Sequence, residues 1–438
     1  MKNFLRNNTA WIFIGIINII PLIIWSFMMP LNDRFGSSFQ IMTSLGQMSA
    51  LLGFSLVATS IILTSRLRPL EKIFHGLNHV YAKHHLIGSV SLILLMFHPL
   101  ILAIRYLQIS TKSAALFLVP NLTLWPQTLG TISLLIMMAL LFITFYLAWT
   151  YHLWKFSHRF LTLAFFIGFL HVAFITSDVS TSISLRSYLL ILGGLALMAY
   201  GYRLLVEFGN FGKYPYLISN IKKLTADIIE ISLKPQEKSI IYAPGQFAFL
   251  TIKQKGLSGE DHPYSFVGTT DDKEITFAIK ALGEYTKSLT NLKAGAQIFV
   301  EGPYGTFGQK QNNNIANGRE IWIAGGIGIT PFICLANDLV NSGRQADLFL
   351  TFKSNEEAIY TKELEALAKN NPNLNVIIHY SGDSGRLTAD KIEEISNPII
   401  NKQIYICGPV SLMRSLRKQF IIKGVKNNNI HSEEFNLV

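Results

Sequence analysis

Hydrophobic positions are unevenly distributed along the chain. Six long, nearly uncharged runs fill the first 210 residues: Trp11–Met29, Ile41–Thr64, Leu86–Leu107, Thr128–Trp149, Phe156–Ile175 and Ser187–Val206. Each is near the ~20 residues a helix needs to cross the hydrocarbon core, so the pattern predicts six transmembrane helices. The first run follows Lys2 and Arg6 in the manner of a signal peptide, but it is long and lacks a small-residue cleavage site, which reads as an uncleaved first span. Near residue 211 the rhythm changes. From Leu224 to Pro303, short alternating runs (LTADIIEISL, FAFLTI, YSFVG, EITFAIKAL, QIFVEGP) are separated by turn residues such as Pro244-Gly245 and predict a small antiparallel barrel. From Ile321 the order becomes strand then helix: IWIAGG, ADLFLTF, LNVIIHY and QIYICG each precede a helical stretch, as in a doubly wound parallel sheet.

The expected fold is therefore multi-domain: a six-helix transmembrane bundle over 1–210, an antiparallel β-barrel over 211–312 and an α/β doubly wound domain over 313–438. The tract QKQNNNIANGR at 309–319 reads as a short polar linker between the last two.

Composition agrees with a membrane protein, since half of the 438 residues are hydrophobic and only 15% are charged. The net charge of +11 at first suggests nucleic acid. Its distribution argues otherwise: residues 1–210 hold 13 Lys/Arg against 4 Asp/Glu, whereas residues 211–438 hold 25 against 23. With a cytoplasmic N-terminus, nine of the 13 (Lys2, Arg6, Arg66, Arg68, Lys72, Lys83, Lys155, Arg159, Arg203) fall on the cytoplasmic side. Arg34, Arg105, Lys112 and Arg186 fall outside. This asymmetry follows the positive-inside rule, predicts an integral protein of the cell's inner or plasma membrane with a cytoplasmic C-terminal half, and leaves no basic footprint for nucleic acid. Two cysteines, Cys334 and Cys407, exclude a disulfide framework and a four-cysteine iron–sulfur cluster.

The histidines carry the first candidate chemistry. Eight of eleven lie in the membrane half, and four form two pairs, His84 with His98 in the third span and His158 with His171 in the fifth. Those spans run in the same direction, and 13 or 14 residues of helix rise about 20 Å, so two parallel helices offer two His–His rungs, one near each face. Neutral imidazole is a common haem-iron ligand, and bundle cofactors are held from facing helices, so two stacked bis-histidine b-type haems account for all four. A lone histidine in a span is ordinarily a buried polar residue bonded to a neighbouring helix; the pairing favours the cofactor. At about 100° per residue His84 lies near the His98 face and His85 does not. His158 and His171 miss a common face by about 140°, which calls for a distortion near Gly168 or approach from different sides. Phe165 and Phe166 lie midway and can fill the space between haems, though aromatic packing alone accounts for them as well. His75, His79 and His152 are given no ligand role.

In the C-terminal half, AGGIGITPF joins a strand to a helix that Thr330 can cap with Pro331 at its first position, and its glycines let a phosphate approach the backbone. The motifs HPYS (His262–Ser265), KALGEYTKSL (Lys280–Leu289), GPYG (Gly302–Gly305), AGGIGITP (Ala324–Pro331), CGP (Cys407–Pro409) and a near-terminal EEF occur in the order of the ferredoxin–NADP reductase type flavin domain. Joined to six spans with paired histidines, the chain resembles the NADPH oxidase and ferric reductase family over nearly its full length.

That resemblance implies FAD and NADPH or NADH as cofactors beside the two haems. It implies that His262, Pro263, Tyr264 and Ser265 line the flavin, with Ser265 near its reactive nitrogen, and that Lys280, Gly283 and Thr286 hold its phosphates. His262 stands where soluble reductases usually have Arg and the oxidases have His. Gly326, Gly328 and Thr330 would receive the dinucleotide, Cys407, Gly408 and Pro409 would flank the nicotinamide, and Phe435 would cover the flavin until nicotinamide displaces it. Cys407 reads as a positioner rather than a nucleophile, because no His or Lys adjoins it. Lys353 and Arg386 follow candidate strands and can meet a 2′-phosphate, or be solvated surface charges.

The implied function is transmembrane electron transfer from NAD(P)H through FAD and two haems, metal ligands His84, His98, His158 and His171, to molecular oxygen or a ferric chelate. The alternative is a flavocytochrome b feeding a quinone or a protein partner. A non-redox transporter with a nucleotide-sensing domain is a third class, which an absorption spectrum separates. The terminal EEF generates one test: Phe435→Ala is expected to alter nicotinamide affinity or the preference between NADH and NADPH, and unchanged KM values and turnover would exclude a covering role.

Overall fold

The computed structural model describes residues 2–147, 151–257, 259–270, 272–309 and 319–433. The chain forms two compact units, Met1–Gly209 and Asn210–Val438. In the first, six helices are long and apolar enough to cross a membrane: Lys2–Ser26, Ser38–Leu63, Leu77–Ile104, Trp125–Tyr146, Tyr151–Phe174 and Ile183–Gly209. With 22 to 28 residues each, they are longer than the hydrocarbon core and extend into its polar margins. The third begins at Leu77, well before the apolar run at Leu86, so Lys83, His84 and His85 are helical. Hydropathy marks only the lipid-facing part of a helix, whereas backbone bonding continues through the interface. The end of the fourth apolar run, 148–150, lies outside the described residues.

Close approach between spans rests on small residues, as expected where lipid removes the hydrophobic drive for helix association. A Cβ at Gly46 or Gly53 of the second span would come within 2.7 Å of Leu102 or Leu95 of the third, and one at Gly193 of the sixth within 2.5 Å of Phe169 of the fifth. The second span packs along the third and the fourth along the fifth, while the third and fifth do not pair in this way. A core of Trp25, Leu51, Phe54, Phe165, Leu185, Leu189 and Leu192 ties the first, second, fifth and sixth spans together. Phe165 belongs to that core, its ring stacked on Phe54 at 5.3 Å, and Phe166 is exposed. A contact between cation and acid stands at each end. Arg34, only 3% exposed, meets Asp178 at 3.1 Å, donates to the Trp25 carbonyl at 2.7 Å and lies over the Trp25 ring. At the opposite end Glu207 receives Lys155 at 3.1 Å and also Arg159.

The second unit contains a closed six-stranded barrel of β1 (Tyr214–Lys223), β2 (Ile228–Pro235), β3 (Phe247–Lys253), β4 (Asp261–Thr269), β5 (Ile275–Lys280) and β6 (Gln297–Tyr304), in the order β1-β2-β5-β4-β3-β6 with antiparallel neighbours. Alternate residues such as Tyr216, Ile218, Ile231, Leu233, Phe277 and Ile298 fill it. Strand β1 escaped the sequence pattern because Pro215, Ser219, Asn220 and two terminal lysines dilute its alternation. A parallel sheet follows, ordered β11-β10-β7-β8-β9, from β7 (Glu320–Gly325), β8 (Ala346–Phe352), β9 (Leu374–Tyr380), β10 (Ile404–Cys407) and β11 (Ile430–Glu433). Both faces are covered. Trp322 and Ala324 face one core while Ile321 and Ile323 face the other, as a doubly wound sheet requires. The linker residues 310–318 lie outside the described residues.

Candidate functional site

In the membrane unit, His84 of the third span and His158 of the fifth present their rings to one another. The rings of His84 and His158 have centroids 6.1 Å apart. Two imidazoles on opposite sides of one metal, each bonded at about 2 Å, have centroids about 6 Å apart. His85 lies beside His84 at 5.5 Å but is exposed. Nδ1 of His84 is 3.1 Å from the Ser60 carbonyl and 2.8 Å from its hydroxyl, Nδ1 of His98 is 2.8 Å from the Gly46 carbonyl, and Nδ1 of His171 is 2.7 Å from the Pro126 carbonyl. A carbonyl only accepts, so Nδ1 carries the proton and Nε2 keeps its lone pair. This is the bracing that metal-ligating histidines generally receive. His158 is held differently, stacked on Trp154 at 5.2 Å, with its buried Nδ1 unpartnered. Room for the His171 ring comes from Gly130, where a Cβ would lie 2.8 Å from Nδ1.

The fifth helix runs unbroken through Gly168, whose missing Cβ admits Ser133 of the fourth span. Among the described residues no group of three or more His, Cys, Asp or Glu side chains gathers to hold a metal ion. Two facing imidazoles would suit a group that brings most of its own metal ligands, such as a porphyrin. Ser60, Gly46, Pro126 and Gly130 were not singled out from sequence, because three act through backbone carbonyls that any residue type carries.

In the barrel, β3 and β4 pair so that Ala248 faces Tyr264 and Phe247 faces Ser265. The hydroxyls of Tyr264 and Ser265 are both buried without a hydrogen-bond partner, an arrangement native structures rarely keep unless a ligand or water supplies the partner. Burial pushes the Tyr264 phenol up, with Tyr285 and Glu260 adding to it, so this group stays a neutral donor. The His262 ring stacks on Tyr285 at 4.3 Å and its Nε2 is 2.9 Å from Glu260; Pro263 sits between His262 and Tyr264 on β4. Lys280 ends β5 and meets Asp227 at 3.4 Å. In the next turn the Thr286 hydroxyl accepts from the Leu282 and Gly283 amides at 2.8 and 2.9 Å. Lys280, Gly283 and Thr286 are thus gathered in one turn, with two amides already turned onto Thr286.

The glycine turn after β7 is tightly wound. Gly326 has φ +54°, and a Cβ at Gly328 would lie 2.4 Å from the Cys407 carbonyl oxygen and 2.7 Å from the Gly408 amide nitrogen. Pro409 is likewise 2.9 Å from the position of a Gly325 Cβ. Two motifs about eighty residues apart therefore meet at the ends of neighbouring strands β7 and β10. Thr330 does not cap the helix that follows. It is the first residue of Thr330–Ser342, and its hydroxyl donates back to the Ile327 carbonyl at 3.1 Å. The 3₁₀ turn at Gly326–Ile329 already carries helical backbone, which leaves the preceding residue no extended capping geometry.

Burial, aided by Glu433, raises the Cys407 thiol well above its usual range, which suits a positioner and disfavours a thiolate nucleophile. Glu433 was not identified from sequence. It lies opposite Cys407 in the β10–β11 register, and its carboxylate is 3.2 Å from the position of a Gly305 Cβ, so it joins the end of the parallel sheet to the barrel's GPYG turn. Phe435 lies outside the described residues. Lys353 and Arg386 are exposed.

Three family descriptions match the chain in order: "Ferric reductase like transmembrane component" over residues 49–169, "FAD-binding domain" over 214–307 and "Oxidoreductase NAD-binding domain" over 322–418. The chain is similar to flavohemoprotein A of Dictyostelium discoideum, 26% identical over 242 residues, which are 50% of this chain and 59% of that protein. It is also similar to the ferredoxin–NAD(P)+ reductase component of the naphthalene 1,2-dioxygenase/salicylate 5-hydroxylase systems of Ralstonia sp, 27% identical over 229 residues, covering 50% and 67%. The crystal structure of flavohemoglobin from Malassezia yamatoensis aligns with 90% of this chain and 98% of its own at 16% identity and a TM-score of 0.52, a likeness of fold. The chain is an NAD(P)H-dependent oxidoreductase and an integral membrane protein.

The glycine turn generates a ranked test. Gly328→Ala is expected to cost about 1–3 kcal/mol of packing, lowering the thermal midpoint and raising the KM for nicotinamide. Gly326→Ala, whose Cβ meets nothing within 4 Å, should cost only about 1 kcal/mol of left-handed strain. The reverse ranking would show that Gly328 is not the point of close approach.

Proposed function

We propose, from the premise that this chain has the domain architecture of the NADPH oxidase and ferric reductase family, that it carries electrons across the membrane from cytoplasmic NAD(P)H to an acceptor on the opposite face. The supporting observation is the bracing of His84, His98 and His171 by carbonyls at Nδ1, with the His158 ring 6.1 Å from His84. Three imidazoles whose carbonyl bonds leave Nε2 available, with His158 facing His84, suit two b-type haems, held by His84 with His158 and by His98 with His171. The unpartnered hydroxyls of Tyr264 and Ser265 suit the polar edge of a flavin.

When bound, FAD supplies the conversion of a two-electron hydride donor into single electrons that haem iron can take. The chain's own residues arrange this. Gly326, Gly328 and Thr330 receive the dinucleotide, and Cys407, Gly408 and Pro409 set the nicotinamide against the flavin. Tyr264 and Ser265 donate to the flavin ring, His262 and Pro263 shape its pocket, and Lys280, Gly283 and Thr286 meet its phosphates. Each NAD(P)H oxidised sends two electrons outward and leaves one proton in the cytoplasm. The lysine and arginine asymmetry supports a cytoplasmic dehydrogenase half. The acceptor is molecular oxygen or a ferric chelate, reached at the outer His98/His171 rung.

Two measurements test this reading. Purified protein should show two low-spin b-type haems, and leucine at His84, His98, His158 or His171 should each remove about one haem, while His85→Leu leaves the content intact; unchanged stoichiometry in all four variants would sink the ligand assignment. Sealed vesicles with the dehydrogenase half outward should oxidise added NAD(P)H while reducing a trapped impermeant acceptor. Dismutase-sensitive cytochrome c reduction in air marks oxygen, and dismutase-insensitive ferric reduction without air marks iron. Haem reduction with no reduction of the trapped acceptor would instead point to a quinone or a cytoplasmic partner.

A further inference from the structure

The four candidate ligand histidines are not held alike. His84, His98 and His171 each set Nδ1 against a backbone carbonyl. His158 has no such bond among the described residues, and its Nδ1 is buried without a partner. Its ring is stacked instead on Trp154, one helical turn earlier, with centroids 5.2 Å apart and planes 26° from parallel. Trp154 and His158 form one stripe of the fifth span. The adjoining stripe, Lys155 and Arg159, is bonded to Glu207 of the sixth span. At about 100° per residue, that anchorage fixes the rotation of the helix and turns the Trp154 stripe away from Glu207. It meets the third span, where the rings of His84 and His158 stand 6.1 Å apart with their planes 72° from parallel.

A metal-ligating histidine needs its ring plane fixed, and a hydrogen bond from the second ring nitrogen ordinarily does this. We infer that Trp154 is the positioning residue of the inner rung, its indole face holding the His158 imidazole crossed against that of His84 in place of a carbonyl bond. Two flat faces in contact resist rotation of either ring, so the plane of His158 is inherited from Trp154, whereas the plane of His84 is set by Ser60. The consequence is chemical as well as steric. An imidazole whose Nδ1–H meets no acceptor is a less basic ligand than one that donates to a carbonyl, so the inner rung has one braced ligand where the outer rung has two. The planes of two axial imidazoles also decide how the iron orbitals split. Crossed planes give a strongly anisotropic low-spin electron paramagnetic resonance signal, and parallel planes give an ordinary rhombic one. The inference rests on the histidine reading above and assigns no ligand beyond it.

The test uses full-length protein in nanodiscs and compares wild type with Trp154→Phe, Trp154→Leu and, on the same helix, the exposed Phe156→Leu. Haem content is read by absorption and the axial geometry by electron paramagnetic resonance, with the inner signal identified as the one that His158→Leu abolishes. In wild type that signal is expected to be the strongly anisotropic one. Trp154→Leu should move it towards the rhombic form and weaken retention of one haem roughly tenfold, leaving the other signal in place. Trp154→Phe, which keeps a flat face, should hold the wild-type signal. Should Trp154→Leu fail to fold, Trp154→Met takes its place, since a flexible thioether fills the volume without a face. A rhombic inner signal in wild type overturns the inference, as does an unmoved signal in Trp154→Leu or Trp154→Met. So does an equal shift in Trp154→Phe or in Phe156→Leu. In those cases the haems are present and the histidine reading stands. Wild-type protein that binds no haem overturns the histidine reading, and this inference with it.

Discussion

A polar group inside a bilayer has no water to fall back on, and the membrane unit is organised around that restriction. A buried imidazole in the two facing spans must place its proton somewhere. In His84, His98 and His171 a backbone carbonyl takes the Nδ1 proton. The same bond that removes the cost of burial fixes the tautomer, and the tautomer decides which nitrogen can bind a metal. On the proposed reading, burial in lipid and metal binding are therefore met by one contact. The glycines follow from it. Gly46 brings the second span close enough for its carbonyl to reach His98, and Gly130 leaves space for the His171 ring.

The second unit meets a related demand in a different medium. Reductase chemistry needs two flat ligands held against one another with water kept out. The fold does this by letting backbones approach where side chains would intervene. Gly328 lies against the Cys407 carbonyl, and Gly408, with φ +157°, lies against Gly325. Side chains with donors, Tyr264 and Ser265, are then left inside without partners. A buried hydroxyl with nothing to bond is a standing cost of about 1–3 kcal/mol, which a bound ligand can relieve.

How much of this was legible in the sequence depended on whether the signal lay in side chains. Six spans were visible because bilayer crossing requires about twenty apolar residues, and their ends were not, because helices such as Leu77–Ile104 continue through polar turns. Five of the six barrel strands showed alternation, and β1 lost it to Pro215 and its polar positions. Strand β11, four residues long, is too short to show periodicity. The capping role expected of Thr330 failed because the preceding turn is already helical. Phe165 stacks on Phe54, the plain aromatic packing that the sequence left open beside a place between haems. The carbonyls that brace the imidazoles left no trace in the sequence, since every residue has one.

An electron needs neither a pore nor a water path, so the unit can remain closed to ions while its two rungs stand about 20 Å apart along the helices. On the proposed reading, electrons move outward with a negative-inside potential, which contributes about 2.3 kcal/mol per electron per 100 mV. The proton from each NAD(P)H stays behind, so turnover consumes the same potential that assists it.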